Sequence, residues 1–213
     1  MSKESLWLSI VEDIKSCKLC RLSSYRTNAV PGEGPLNASI VFVGEAPGKS
    51  EDLAGRPFVG AAGKLLTELL ESNGIRREEV FITNVVKCRP PDNRDPFEDE
   101  VSACSIHTNK IVELIRPSMI VTLGNHSGRY FFEVLGGIKW YGVKRARGKV
   151  YKLRILGNDV VLIPTYHPAA ALYNPKVREE LEEDFKLIVN TYNELSKPKP
   201  TQEKRKTLLD FMK

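Results

Sequence analysis

The chain has 213 residues, of which 41% are hydrophobic and 28% charged, enough for one domain with a substantial core and too balanced for a disordered or fibrous protein. No apolar run approaches a membrane helix, and Met1-Ser2-Lys3-Glu4 lacks the apolar core of a signal peptide, so a cytoplasmic chain is expected. The net charge of +5 tilts toward a polyanionic partner, though far less than in a histone-like protein.

Residues 5–16 read as a helix that Ser5 can cap, with Leu6, Ile10, Val11 and Ile14 at helical spacing. It ends at Cys17-Lys18-Leu19-Cys20, and an irregular stretch through Pro31, Gly32, Gly34 and Pro35 follows. Ser39-Ile40-Val41-Phe42-Val43 is apolar and β-branched, and Gly44, Pro47 and Gly48 stop it at once. That pattern predicts a buried parallel strand leaving the sheet at its C-terminal end, where open α/β sheets bind ligands. The glycine-containing loop lets backbone N–H groups approach a ligand closely, and it carries one carboxylate, Glu45.

A second helix presents Leu65, Leu66, Leu69 and Leu70 and stops at Asn73-Gly74. Val80 to Val86 is a second strand, running into the proline- and arginine-rich loop Cys88-Arg89-Pro90-Pro91-Asp92-Asn93-Arg94. Residues 98–115 form a third helix with Val101, Cys104, Thr108, Ile111 and Ile115 on one face, which turns Cys104 inward. Ser118 to Leu123 is a third strand, and a helix over 125–135 is broken by Gly136-Gly137. A basic stretch carries Lys139, Lys144, Arg145, Arg147 and Lys149. Val150 to Leu156 and Val160 to Pro164 make a β-pair around Gly157-Asn158-Asp159, and Thr165-Tyr166-His167-Pro168 leaves its second strand. Asn174-Pro175 opens the closing helix, whose stripe is Val177, Leu181, Phe185, Ile188, Tyr192 and Leu195. Residues 1–196 thus read as one domain, and 197–213, which begin Lys-Pro-Lys-Pro, as a flexible tail.

Strands alternating with helices predict an α/β fold: a doubly wound three-layer α/β/α sandwich on a central, mostly parallel four-stranded sheet. Three strand ends, at Gly44-Glu45, Asn84 and His167, then converge on one sheet edge.

The four cysteines are Cys17, Cys20, Cys88 and Cys104. Inside a cell stable disulfides are rare, so metal or redox roles stand against four inert buried thiols. Four thiolates from two loops and a helix can surround Zn²⁺ or a [4Fe–4S] cluster. Zinc more often uses two short Cys-x-x-Cys hooks, and here the second pair is spread out, which favours a cluster.

Four motifs then agree in order: Gly44-Glu45-Ala46-Pro47-Gly48, Gly55-Arg56-Pro57-Phe58-Val59-Gly60, Thr83-Asn84-Val85-Val86-Lys87-Cys88-Arg89-Pro90-Pro91, and His167-Pro168-Ala169-Ala170. Together they resemble the type-4 uracil-DNA glycosylases, iron–sulfur enzymes of bacteria and archaea, over roughly residues 10 to 192. Type-5 relatives carry an apolar residue in place of Glu45, so type 4 fits better. The resemblance implies uracil-containing DNA as partner, a nucleoid-associated location, and Cys17, Cys20, Cys88 and Cys104 as ligands of a [4Fe–4S] cluster with a structural role.

It also implies roles in the pocket. Gly44, Glu45, Ala46, Phe58, Asn84 and His167 would bind uracil. Phe58 would stack on the extruded base. The Asn84 carboxamide would pair with the uracil O4 acceptor and N3–H donor, a pattern that cytosine reverses. His167 would stabilise charge growing on O2, with help from backbone N–H groups of residues 44 to 46. Glu45 would orient the attacking water or offset positive charge on the sugar, although type-1 enzymes place an aspartate one residue on, at Ala46. Glu51 resembles a second acidic position that shapes the pocket against the methyl group of thymine. Arg89 and Arg94 would meet phosphates, and Leu172 would wedge into the vacated stack. His107 and His126 read as structural or surface residues. No lysine is evidently set up as a Schiff-base nucleophile, so strand cleavage is not expected.

The tail ends Arg205-Lys206-Thr207-Leu208-Leu209-Asp210-Phe211-Met212, where Leu208, Phe211 and Met212 fit the anchors of a sliding-clamp-binding peptide and Arg205 replaces its usual Gln. A monomer is expected. The rival readings are a cluster-bearing nucleic-acid-binding or redox-sensing protein without glycosylase activity, and a zinc-stabilised α/β binding module.

Overall fold

The computed structural model describes residues 1–196. The tail and its anchors Leu208, Phe211 and Met212 lie outside the described residues. Among those residues no helix is long and apolar enough to cross a membrane.

The sheet has five strands: β1 (Ile40–Gly44), β2 (Phe81–Asn84), β3 (Met119–Leu123), β4 (Tyr151–Ile155) and β5 (Asn158–Thr165), in the order β2-β1-β3-β5-β4. The first four in that order run parallel, and β4 pairs antiparallel to β5 at one edge. The expected four-stranded sheet is therefore one strand short. The extra strand is the second arm of the β-pair, which stays in the same sheet. Its turn also moves one residue: Leu156 and Gly157 both take positive φ, 47° and 79°, as a tight two-residue hairpin requires.

β1, β2 and β3 are buried at every position, as strands covered on both faces must be. Their side chains alternate between two cores. Val41, Val43 and Ile120 face Ile10 and Ile14 of α1 (Lys3–Ser16) and Ile111, Val112 and Ile115 of α4 (Glu98–Ile115). Ile40, Phe42 and Val121 face Leu65, Leu66, Leu69 and Leu70 of α3 (Ala61–Ser72) and Leu181, Phe185 and Ile188 of the closing helix, Pro175–Ser196. Three layers result, as expected.

Local differences have local causes. The first helix starts two residues early, because the Ser2 hydroxyl, not Ser5, caps it by accepting the Ser5 N–H at 3.2 Å. A short helix, α2 (Lys49–Ala54), fills part of the stretch read as loop. The segment expected as one helix over 125–135 begins as α5 (Asn125–Arg129) and then widens to π pitch over Tyr130–Leu135. Widening brings the consecutive aromatics Tyr130, Phe131 and Phe132 all into the core, which an α-helical turn would spread around its circumference.

Candidate active site

Parallel strands deliver their C-terminal residues to one edge, so the site is built by register. Gly44 and Asn84 are paired neighbours at the ends of β1 and β2, and His167 follows β5 two residues after Thr165. These ends open into a cavity of about 450 Å³, lined among others by Glu45, Ala46, Glu51, Phe58, Asn84 and His167. That volume lies in the usual range for a small-molecule site.

Asn84 is fully buried, and its Oδ1 has no hydrogen-bond partner among the described residues. A buried carboxamide oxygen left unpaired costs about 1–3 kcal/mol, so it is a group waiting for a donor. Beside it stands Phe58, a buried phenylalanine with φ of 52°, a backbone region that non-glycine residues rarely occupy. Two devices hold this strained turn. The Glu51 carboxylate accepts the N–H groups of Val59 and Gly60 at 2.9 and 2.8 Å. Gly63 supplies room, since a Cβ there would lie 1.8 Å from the Phe58 carbonyl oxygen. Strain kept in place by such supports clusters at functional sites.

His167 lies against the Phe58 ring, with 5.5 Å between ring centres and 28° between planes. Its Nδ1 accepts the Ala169 N–H at 3.1 Å, at the start of a short helix, α7 (Pro168–Ala171). Nδ1 therefore carries no proton, and the neutral ring bears its hydrogen on Nε2. Desolvation by the pocket walls drives its pKa down to about 4. A neutral imidazole with a free Nε2–H donor is the species present at ordinary pH.

Glu45 is half-buried, and burial raises its pKa above the usual carboxylate range. His126 pulls in the opposite direction: its Nε2 lies 3.6 Å from Glu45 Oε2 and 3.2 Å from Asp95 Oδ2. The sequence reading assigned neither His126 nor Asp95 to the site. Only the fold brings the turn after β3 and the Arg94-Asp95 loop to Glu45.

The structure also places the expected DNA-contacting residues. The Arg94 guanidinium lines the cavity but is bound to the buried Glu100 at 2.8 and 2.6 Å and lies 3.8 Å over the Phe97 ring. Arg89 donates to Asn93 Oδ1 at 2.7 Å. Leu172 closes α7 on the surface, and the next residue, Tyr173, is 93% exposed, a bulky candidate that the sequence reading passed over.

All four cysteines line a second, smaller cavity with Arg26, Lys87 and His107. Its walls suit a metal–thiolate group. Arg26 Nη1 donates to Cys88 Sγ at 3.0 Å and the Lys87 N–H to Cys104 Sγ at 3.3 Å, as thiolates require. Both ring nitrogens of the buried His107 lack a partner among the described residues. Burial raises the thiols of Cys20, Cys88 and Cys104, the last to about 12, so cation binding there must displace protons. Among the described residues, the trio of His, Cys or carboxylate ligands whose atoms all lie within 4.8 Å is Glu45, Asp95 and His126.

The model of the uracil DNA glycosylase superfamily matches residues 31–195. A type-4 uracil-DNA glycosylase of Sulfurisphaera tokodaii is 56% identical over 180 residues, covering 84% of this chain and 81% of that protein. Those of Saccharolobus solfataricus and Archaeoglobus fulgidus are each 53% identical, covering 84% of this chain and 83% and 89% of their own lengths.

Proposed function

We propose that this chain, which belongs to the uracil DNA glycosylase superfamily, is a uracil-DNA glycosylase that flips uracil out of DNA and hydrolyses its N-glycosidic bond, initiating base excision repair. Water is the co-substrate; free uracil and an abasic deoxyribose are the products. The observation that carries the assignment of residues is the unpaired, buried Asn84 Oδ1 on the wall of the cavity.

In this reading an extruded uracil packs its face on Phe58. Its N3–H donates to Asn84 Oδ1, and its O4 accepts from Nδ2. Cytosine presents an unprotonated N3 and an amino group there and would leave both amide groups unpaired, a mismatch of about 2–4 kcal/mol in a dry pocket. As the C1′–N1 bond lengthens, negative charge grows on O2 and N1. The Nε2–H of His167 is the donor for O2, and it stabilises the anion by hydrogen bonding from a neutral ring. Glu45 faces the water side, where its carboxylate orients the nucleophile and offsets charge on the sugar. The leaving uracil anion is protonated by solvent.

Cys17, Cys20, Cys88 and Cys104 are the residues that would hold a [4Fe–4S] cluster, and a second cysteine pair spread over a loop and a helix, rather than closed in a short hook, supports a cluster over one zinc ion. The group would supply no bond-breaking chemistry. It would tie the end of α1 to the Cys88 loop and to α4. Leu172, with Tyr173 beside it, is the candidate wedge for the emptied stack. Release of free uracil from a uracil-containing oligonucleotide, lowered roughly 30- to 1000-fold in an Asn84→Ala variant of unchanged melting temperature, tests the assignment.

A further inference from the structure

The basic stretch noted in the sequence has no part in the pocket. Five cations lie between Ile138 and Tyr151, with no carboxylate among them. Arg147 is taken: its Nε and Nη2 each hold a carboxylate oxygen of Asp184 at 2.9 Å. The other four, Lys139, Lys144, Arg145 and Lys149, are exposed, and none forms an ion pair among the described residues.

We propose that this loop is a phosphate-gripping surface for the DNA strand that flanks the extruded nucleotide. The inference rests on the function proposed above. Three observations carry it. First, the loop gathers its charge on an aromatic ring: Lys139 Nζ lies 5.4 Å and the Arg145 guanidinium 4.9 Å from the centre of Tyr141, which is 62% exposed. Exposed like charges repel, and stacking on one ring offsets that repulsion and fixes their spacing. Second, the loop is preorganised. Trp140 packs on Phe132 at 5.1 Å between ring centres, and its backbone N–H donates to Glu133 Oε1 at 2.9 Å. Third, the loop sits beside the pocket. The Val143 N–H donates to Asn125 Oδ1 at 2.8 Å, and the residue after Asn125 is His126, the neighbour of Glu45. A uracil in the pocket leaves its own strand crossing this rim, and phosphate is the anion whose spacing and charge a row of Lys and Arg meets.

The test uses the full chain. Two double variants, Lys139→Gln with Arg145→Gln and Lys144→Gln with Lys149→Gln, are compared with wild type on a long uracil-containing oligonucleotide, a uracil-containing trinucleotide too short to reach the loop, and uracil-free DNA. Each should keep the wild-type melting temperature and saturated rate, and raise half-saturation on the long substrate by about tenfold at low salt. Each should also flatten the log–log salt dependence by roughly 0.7–0.9 for every phosphate left unneutralised, with trinucleotide turnover unchanged. Unchanged half-saturation and salt slope in folded variants, or equal losses on the trinucleotide, would overturn the proposal. Anisotropy on uracil-free DNA gives the same salt slope without catalysis, so a wild type that releases no uracil would sink the functional reading while still judging this surface.

Discussion

The carboxamide oxygen of Asn84 sits directly over Gly44: a Cβ on Gly44 would lie 2.3 Å from Oδ1 and 2.7 Å from Cζ of Phe58. The end of β1 thus has to be glycine for the base-reading amide and the stacking ring to share one pocket. Gly44→Ala is expected to displace both, lowering stability by about 1–3 kcal/mol and uracil release by more than that loss explains. Denaturant unfolding alongside kcat/KM separates the two effects.

Asn84→Ala should leave the fold intact, because the oxygen it removes has no partner among the described residues. It is expected to lower kcat/KM on uracil by about 2–4 kcal/mol, roughly 30- to 1000-fold. A small effect on free-enzyme stability beside a large effect on turnover is the signature to look for in calorimetry and steady-state kinetics.

His167 sets a pH window. Its pKa is about 4 in the folded chain against an ordinary 6.5. Between those values an unfolded chain binds a proton that the folded chain refuses. The contribution of this group to stability is therefore complete above pH 6.5 and is lost as pH falls through about 4. In His167→Leu the decline in melting temperature over that window should shrink. Removing the O2 donor should also cost about 10²–10³ in kcat.

Glu45 titrates above the ordinary carboxylate range, because burial outweighs His126. The acid limb of kcat in wild type should accordingly lie above the usual carboxylate pKa, and Glu45→Gln should flatten it. Replacing His126 with Gln should move that limb further toward neutral, since the group that favours the ionised carboxylate is gone.

A buried network anchors the strand that leads to His167. Thr165 Oγ1 donates to Asp184 Oδ2 at 2.6 Å, and Arg147 binds both oxygens of the same carboxylate. Asp184→Ala removes the bidentate partner of a largely buried guanidinium, leaving it the more distant Glu180 and Glu183 carboxylates at 3.9 and 3.7 Å, and should cost about 1–3 kcal/mol in chemical denaturation. Thr165→Val should cost much less.

How far the residues alone carried the reading follows from the range of each interaction. The strand ends at Gly44, Asn84 and His167 were legible, because short apolar runs stopped by breakers reflect burial that the chain encodes locally. The inward face of Cys104 followed from helical spacing, and the structure buries it. The support of Phe58 was not legible: its positive φ depends on a carboxylate at Glu51 and on empty space at Gly63, and nothing in the local run Arg56-Pro57-Phe58 announces either. Asp95 and His126 meet Glu45 only through the fold, and a lone histidine after a strand gives no signal of its own. The Arg94 pairing with Glu100 was equally invisible, since the phosphate role expected for Arg94 ignored an acid six residues on.

The central claim is that the cavity admits one uracil and releases it as an anion. The most direct measurement is a structure with free uracil bound, together with uracil release from DNA by the same preparation. The account predicts the pyrimidine on the Phe58 ring, N3 within hydrogen-bonding distance of Asn84 Oδ1 and O2 facing His167 Nε2, in a protein that liberates uracil and leaves the strand uncut. Uracil lodged elsewhere, or a folded protein that binds such DNA and liberates no base, would contradict it.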